Sequence, residues 1–459
     1  MKLKSAVLVL TVFFTGTGAM MPQYAFASHT SECEITSPIT ADHATEGYNR
    51  DPDVVSSVGD PLILALAIDF TDAKTPDSSV SAISKIVNLN TVENFYRYIS
   101  EGKFRPTFRV FPEVVTMPEP STHYGNQLDA DTFTGREWQS QHLVREALIS
   151  IQKKLVISNY SAVVVFVTGG KSLSGYVGLT TLNDPPYLVF ENGEVHNFTV
   201  IGAGITRSGD TFAARVLVHE VGHLIGLPDL YSYDPNGFWM FNSPSNFSTM
   251  GTLQGSESDS LAWNRFILKW MDDKQVYCAS QTPLSESLKL STISKSEPSS
   301  FQLVLIKRST YKILAIESIP RVGFFSKSQT GGFLVYEVDT SKSSGSIPIK
   351  IIPRVTTTTQ SSELPDWVRL AQAPLISDSY LVYEGIRLEN ELNADGSSQL
   401  HIYSGPNAIE ASRRWEVNHK ITQQKIACVR GRSKRTLVGT NLKCPRGYSL
   451  QIPAAVKTS

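Results

Sequence analysis

The chain has 459 residues, of which 41% are apolar and 19% charged, and its formal net charge is −1. At about 150 residues per domain, this length favours roughly three domains. The near-neutral charge provides no overall attraction to nucleic acid or to an anionic surface, so the composition argues against a nucleic-acid-binding protein.

The N-terminus, MKLKSAVLVLTVFFTGTGAMMPQYAFASHT, has the organisation of a secretory signal peptide. Lys2 and Lys4 give it a positive start, an apolar run follows, and Ala25 and Ala27 form an A-x-A cleavage site. The apolar run is well short of the ~20 residues that a transmembrane helix needs. We therefore predict that residues 1–27 are removed and that the mature protein is secreted, with no transmembrane segment.

The first half of the chain alternates strand and helix patterns. A polar stretch at 28–58, which is either a loose arm or a short pro-segment, precedes them. The predicted elements are a strand at Pro61–Phe70, a helix at Thr91–Phe104, a strand at Phe108–Met117, a helix at 135–157, and strands at Ser161–Gly170 and Glu194–Gly204. This alternation predicts a sheet with helices packed on it.

The second half has a different texture. Short alternating apolar runs separated by Ser, Gly, Asn and Pro fill residues 285–405 and predict a β-sandwich. We expect an α+β protein with a catalytic domain at 59–280, a β-rich domain at 281–410 and a small tail module at 411–459. From Arg413 onward the chain is strongly basic. The tail is therefore either a weak anchor to anionic cell-wall polymer or a solvated hairpin without a partner.

Four cysteines follow the signal peptide, and sequence alone does not choose their pairing. Cys428 and Cys444 lie close together in the short tail, so we pair them. This leaves Cys33 to pair with Cys278. Such a framework suits a protein that matures outside the cytoplasm.

The segment VLVHEVGHLIGLPDLY, at 216–231, contains the candidate metal-binding and catalytic residues. A helix is predicted from Thr211 to Ile225, with Asp210 as its N-cap. Gly226 is expected at the C′ position, and Pro228 prevents the helix from continuing.

His219 and His223 are four residues apart, so a helix places both imidazoles on one face, where they can bind the same zinc ion. Asp229 follows the predicted helix end and can turn back as a third ligand. Glu220 lies on a different side of the helix and can accept a proton from a metal-bound water. Together these residues form the pattern H-E-x-x-H-x-x-G-x-x-D.

Two alternatives remain open. The histidines can be satisfied side chains of an ordinary buried helix, because H-E-x-x-H is short enough to occur by chance. Asp229 can also be a loop residue that bonds to a nearby tyrosine. In that case Glu257 or Asp234 would be the third ligand.

The segment HEVGHLIGLPDLY resembles the active-site region of the immune inhibitor A-type secreted zinc metallopeptidases, a metzincin-like group of zincins. PLILALAIDFTDAK, FYRYISEGKFRPTFRVFP and STMGTLQGSESDSLAWNRFILKWM resemble further segments of that family, so the resemblance covers roughly residues 60–275. It implies a zincin-type catalytic domain that hydrolyses peptide bonds. Zinc would be bound by His219, His223 and Asp229, Glu220 would be the general base, and Met250 would be the methionine of the turn beneath the metal.

Some features depart from that family. The N-terminal arm is short for a pro-segment, although Cys33 as a thiolate could cap the zinc if it were not in a disulfide. Lys269 stands where the family usually has a glycine. No tyrosine directly follows Met250, so Tyr231 and Tyr233 are the candidates for a second oxyanion donor. The sequence does not decide whether calcium also binds.

Three functions are therefore compatible with the sequence. The first is a secreted zinc endopeptidase acting on extracellular proteins. The second is a surface-binding protein on a retired protease scaffold, against which the intact Glu220 argues. The third is a zinc hydrolase of wall-linked amides, in a protein that we expect to be bacterial.

Overall fold

The computed structural model describes residues 30–39, 43–125, 133–169, 178–182, 188–202, 210–234, 243–244, 247–253, 259–279, 283–293, 300–325, 330–354, 370, 373–393, 398–418, 424–430, 433–439 and 449–451. The predicted signal peptide lies outside these residues. Among the helices described, none combines the length and the apolar character needed to cross a bilayer.

The described helices are α1 Ser79–Ser84, α2 Leu89–Ile99, α3 Ser121–Gly125, α4 Phe133–Ile151, α5 Asp210–Leu224, α6 Ala262–Ile267 and α7 Pro406–Asn418. The described strands are β1 Leu62–Asp69, β2 Thr107–Val110, β3 Val115–Thr116, β4 Ala162–Val167, β5 Leu179–Leu182, β6 Leu188–Phe190, β7 Gly193–Val195, β8 Asn197–Gly202, β9 Val276–Ala279, β10 Ser285–Lys289, β11 Leu303–Lys307, β12 Lys312–Ile319, β13 Gly332–Asp339, β14 Ile349–Ile351, β15 Ser379–Tyr383, β16 Ile386–Leu392, β17 Ser398–Ser404, β18 Gln424–Arg430, β19 Ser433–Gly439 and β20 Ser449–Gln451. The fold is of the α+β class, as predicted.

The first sheet has six strands in the order β2-β1-β4-β8-β5, and β3 pairs with the far end of β1. Strands β1, β2, β4 and β8 run parallel, whereas β5 pairs antiparallel with β8 at one edge. Successive side chains of a strand point to opposite faces, and both faces of this sheet are covered. Ala65 and Ala67 pack towards α2 and α5, whereas Leu64 and Leu66 pack towards α4. This explains the uninterrupted apolar runs of the central strands.

Two further sheets pack face to face. One has the order β14-β13-β12-β11-β9 and the other β10-β17-β16-β15. Val304 and Ile306 of β11 face the second of these sheets, while Leu303 and Leu305 share a core with α2 and α5. The five-stranded sheet is therefore the middle layer, and the β-rich half packs directly on the half that carries α5.

Local breakers shift several predicted boundaries. The helix predicted at Thr91–Phe104 ends earlier, at Ile99, because Glu101 and Gly102 adopt positive φ angles of 52° and 80°. The strand predicted at Phe108–Met117 is divided into β2 and β3 around Pro112, which cannot donate a ladder hydrogen bond. The helix predicted at Thr211–Ile225 is α5, displaced by one residue.

Helix α7 is an element that the sequence reading did not predict. It spans the expected boundary between the β-rich domain and the tail, at residues 410 and 411. Its pattern is mostly polar, and among its side chains that the structure describes, Ala411 is fully buried. Such a helix has too narrow an apolar stripe to stand out in the sequence. After it, β18 pairs antiparallel with β19 and β20.

The N-terminal arm packs against the body of the protein. Cys33 and Cys278 form a disulfide, which confirms that pairing. It excludes Cys33 as a free thiolate over a metal. The pairing predicted for Cys428 and Cys444 lies outside the described side chains.

The arm also completes the C-terminal end of α5. The last carbonyls of a helix have no partner within the helix. Here the backbone N–H of Val55 donates to Leu224 at 2.9 Å, and the Arg50 guanidinium donates to Ile225 at 2.8 Å. The described part of the arm is therefore an integral part of the fold.

Glu46 of the arm is fully buried beneath α6. The side-chain amide of Asn264 donates to both carboxyl oxygens, at 3.0 and 2.8 Å. Burial raises the pKa of Glu46 to about 7 even though Arg50 lies nearby. Glu317, buried where β12 meets α6, also has a pKa raised to about 7 by burial.

These buried acids predict a pH-dependent stability. An acid whose pKa is raised in the folded state stabilises the fold below its unfolded value of 4.5, and this contribution is lost as pH rises through about 7. We expect Glu46→Gln to flatten the fall in unfolding free energy over that window, by up to ~1.4 kcal/mol per pH unit. Denaturant unfolding at several pH values measures it, with Glu113→Gln at the surface as control. An unchanged slope in Glu46→Gln would contradict the assignment.

Candidate metal centre

The C-terminal end of helix α5 is formed by a left-handed glycine, Gly226. Gly226 has a φ of 83°, which only glycine adopts at little cost. The N–H of Gly226 donates to His223 at 2.6 Å, and the N–H of Leu227 donates to Gly222 at 2.9 Å. This is a Schellman motif. It reverses the chain immediately after His223 and brings Asp229 back towards the helix.

The structure brings together the three predicted ligands. Nε2 of His219 lies 3.1 Å from Nε2 of His223. Oδ1 of Asp229 lies 3.0 Å from the first of these atoms and 3.4 Å from the second. Within the described residues, this is the group of His, Cys, Asp and Glu side chains whose geometry suits a metal ion.

The opposite edges of both imidazoles are occupied. Nδ1 of His219 lies 2.7 Å from the Thr249 carbonyl, and Nδ1 of His223 lies 2.7 Å from the Leu227 carbonyl. A carbonyl oxygen only accepts, so each Nδ1 carries the proton. In the neutral form of both histidines, the Nε2 lone pairs then point into the space that they share with Asp229.

This donor set fits a zinc ion. Two imidazole nitrogens and one carboxylate oxygen are ligands that zinc takes in catalytic sites. Oδ1 of Asp229 is buried and faces the two imidazole nitrogens, which donate no hydrogen bond to it when both histidines are neutral. A buried carboxylate oxygen without a partner is costly, and a cation coordinated there would satisfy it.

The electrostatics of His223 and Asp229 agree with cation binding. Burial works against a charge on His223, but the carboxylate of Asp229 more than offsets this and raises its pKa to about 9. Burial likewise opposes the charge on Asp229, yet the two histidines hold the pKa of that carboxyl well below its ordinary range. The site therefore attracts positive charge, either a proton or a metal ion.

Glu220 lies on a different side of α5 and is buried. The Thr180 hydroxyl of edge strand β5 donates to its Oε2 at 2.6 Å. A Cβ atom at Gly178 would lie 2.4 Å from Oε1, so a side chain at that position would displace the carboxylate. Glu220 is thus separate from the three ligands and is fixed by its own neighbours.

The segment Thr249–Met250 lies beneath the site. Met250 is buried, and its sulfur is so close to Gly222 that a Cβ atom there would approach it to 2.4 Å. The Met250 carbonyl accepts from the N–H of Leu230 at 3.0 Å. This segment therefore contacts both α5 and the chain that carries Asp229.

Two tyrosines lie beside the three clustered side chains, and of the two acids considered as alternative third ligands, the one that the structure describes lies outside the cluster. The ring of Tyr231 stacks on that of His219 with centroids 6.3 Å apart, and the Tyr233 hydroxyl bonds to Oδ2 of Asp229. Burial raises the pKa of both tyrosines, so both stay protonated. Asp234 is exposed and outside the cluster, and Glu257 lies outside the described residues.

No protein-family model matches the chain, and comparison with curated proteins returns no significant match. The family resemblance therefore remains a prediction from the motifs.

Sequence reasoning missed the groups that surround the ligands. Gly178 precedes strand β5 and Thr180 lies within it. Neither residue has a spacing in the sequence that would indicate a role at the site. The carbonyls of Thr249 and Leu227 are backbone groups, so the residue types at these positions do not indicate that they contact the histidines. Ser344, in the loop between β13 and β14, also contacts Asp229, although the two residues are 115 positions apart in the sequence.

Proposed function

We propose that this chain is a secreted zinc-dependent endopeptidase that cleaves peptide bonds of extracellular proteins. The observation that carries the proposal is the convergence of His219, His223 and Asp229 on one point, next to the separately held carboxylate of Glu220. A structural histidine pair would account for Asp229 but would not require a second buried carboxylate that Thr180 holds apart from the pair.

Each residue then has a defined task. His219, His223 and Asp229 would hold the metal, with both histidines oriented by backbone carbonyls. Zinc, when bound, supplies Lewis-acid polarisation of the peptide carbonyl and lowers the pKa of the attacking water. The Glu220 carboxylate takes the proton of that water and returns it to the leaving amine. Protonated Tyr231, stacked beside His219, is a candidate to donate to the developing oxyanion.

The proposal also includes the fold type of the catalytic domain, secretion and the role of the tail. The six-stranded sheet with α2 and α5 on one face is consistent with a zincin-type catalytic domain, with Met250 in its methionine turn. The signal sequence and the Cys33–Cys278 disulfide both favour secretion. The basic tail would carry the second disulfide, between Cys428 and Cys444, and would associate weakly with wall polymer.

A substrate panel tests the reaction class. The mature protein, from residue 28, is incubated with casein, gelatin and purified cell-wall fragments, each beside Glu220→Ala. Cleavage of the proteins by the unmodified chain alone supports the endopeptidase. Release of wall amides without protein cleavage would indicate a different hydrolase, and inactivity on all substrates despite bound zinc would indicate a binding protein.

The contact between Thr180 and Glu220 gives a more local prediction. A hydrogen bond to a carboxylate is worth ~1.5–3 kcal/mol, so we expect Thr180→Val to lower kcat about ten-fold with little change in KM or zinc content. Thr180→Ser keeps the hydroxyl and should recover most of the rate. Steady-state kinetics on a peptide substrate measure both variants. Equal kcat values in Thr180→Val and the unmodified chain would show that this contact does not orient Glu220.

A further inference from the structure

The loop between β13 and β14 contacts the chain that carries Asp229. The N–H of Gly345 donates to the Asp229 carbonyl at 3.1 Å, and the N–H of Tyr233 donates to the Gly345 carbonyl at 3.0 Å. An antiparallel bridge joins Ser232 to Ser346. The two segments thus pair as a short ladder, although one belongs to the β-rich half and the other follows α5.

Side chains close a ring of hydrogen bonds on this ladder. The N–H of Asp229 donates to Oγ of Ser344 at 2.9 Å. The Tyr233 hydroxyl lies 3.1 Å from Oγ of Ser344 and bonds to Oδ2 of Asp229.

The direction of each bond in this ring follows from the proton count. An ionised carboxylate only accepts, so the Tyr233 hydroxyl uses its single proton on Asp229. Ser344 must therefore donate its own proton to Tyr233 while it accepts from the Asp229 N–H. Every proton in the ring is used, and the ring has one arrangement.

We infer that Ser344 and Gly345 are positioning residues for the metal centre, which set the orientation of the Asp229 carboxylate through Tyr233 and the Asp229 backbone. This inference rests on the proposed function, because it assigns Asp229 to the metal. Oδ2 is held by the ring, and Oδ1 is left facing the two histidine nitrogens. The β-rich half is then part of the active centre rather than a separate accessory domain.

Glycine is required at position 345 for two reasons. Its φ is 70°, in the left-handed region that disfavours other residues. A Cβ atom there would lie 2.2 Å from the Tyr233 ring, so any side chain would push that ring away from Asp229. Alanine at this position should therefore disturb the metal ligand without touching it.

Zinc affinity of the full mature chain tests the inference, measured by competition with a chromophoric chelator. We expect Ser344→Ala to weaken zinc binding about ten-fold and Gly345→Ala to weaken it at least as much, as loss of partners to a metal ligand does. Ser343→Ala is the matched control, because its hydroxyl bonds to Ser346 and not to Asp229. Cobalt in place of zinc gives a second readout, since its visible spectrum reports the ligand geometry. That spectrum should change in Ser344→Ala and stay constant in Ser343→Ala.

The outcomes separate the two claims. If the unmodified chain binds zinc tightly and Ser344→Ala binds it equally well with the same cobalt spectrum, the inference is wrong and the metal site stands. If the unmodified chain binds no zinc, both the inference and the proposed function are overturned. Thermal unfolding of each variant identifies a loss of affinity that comes only from unfolding, which would also count against the inference.

Discussion

Replacing Glu220 by glutamine should abolish peptide hydrolysis while leaving zinc bound. The carboxylate lies apart from the three ligand atoms and is held by Thr180 of β5. Glutamine has nearly the same shape but cannot accept the proton of the attacking water. General acid–base catalysis contributes ~10²–10⁴-fold, so we expect kcat to fall by that factor or to below detection. Cleavage of labelled casein, together with the zinc content of the same samples, measures both effects.

A conservative change at an exposed acid provides the control. Glu194→Gln alters a surface carboxylate that pairs with His196 and should leave kcat unchanged. Full peptidase activity in Glu220→Gln would exclude Glu220 as the general base. Loss of zinc in that variant would mean that Glu220 is itself a ligand, contrary to its position in the structure.

Replacing His223 by alanine should remove both zinc and activity. It deletes one of three ligands and leaves Oδ1 of Asp229 facing His219 alone. Loss of an outer partner costs ~10–100-fold in metal affinity, and loss of a direct ligand should cost more. Zinc content after dialysis and casein cleavage measure the two losses. His196→Ala, away from the cluster, should retain both.

The same site should bind zinc more weakly as pH falls. The pKa of His223 is raised to about 9 by Asp229 when no metal is present, despite its burial. Zinc must displace that proton, so its apparent affinity should increase with pH until about 9. Zinc titrations at several pH values measure this, and an apparent zinc affinity that stays constant as pH falls would contradict the displacement of a proton from His223.

Local sequence patterns were sufficient to predict the elements that carry the proposed ligands. The apolar period of α5 and the glycine after it predicted both the helix and its end to within one residue. Once the helix is known, the four-residue spacing of His219 and His223 places them on one face. The turn at Gly226 then makes Asp229 reachable, because the Schellman bonds reverse the chain there. These predictions needed only interactions between near neighbours in sequence.

The remaining features depend on contacts between distant segments. Helix α7 has too few apolar side chains to be recognised, and it is specified by packing on the β-rich sheet. The packed arm depends on Glu46 meeting Asn264 more than two hundred residues away. Ser344 meets Asp229 through a loop whose serines and glycine look like any turn. Sequence pattern therefore identified the clustered side chains that we propose as metal ligands but not the groups that orient them.

The most direct test is the zinc content of the purified mature chain, followed as zinc is removed by a chelator and then restored, with casein cleavage measured at each stage. We expect one tightly bound zinc per chain, cleavage that disappears when the metal is removed, and cleavage that returns when zinc is added back. A folded chain that binds no zinc, or one that cleaves casein equally well after its zinc has been removed, would contradict it.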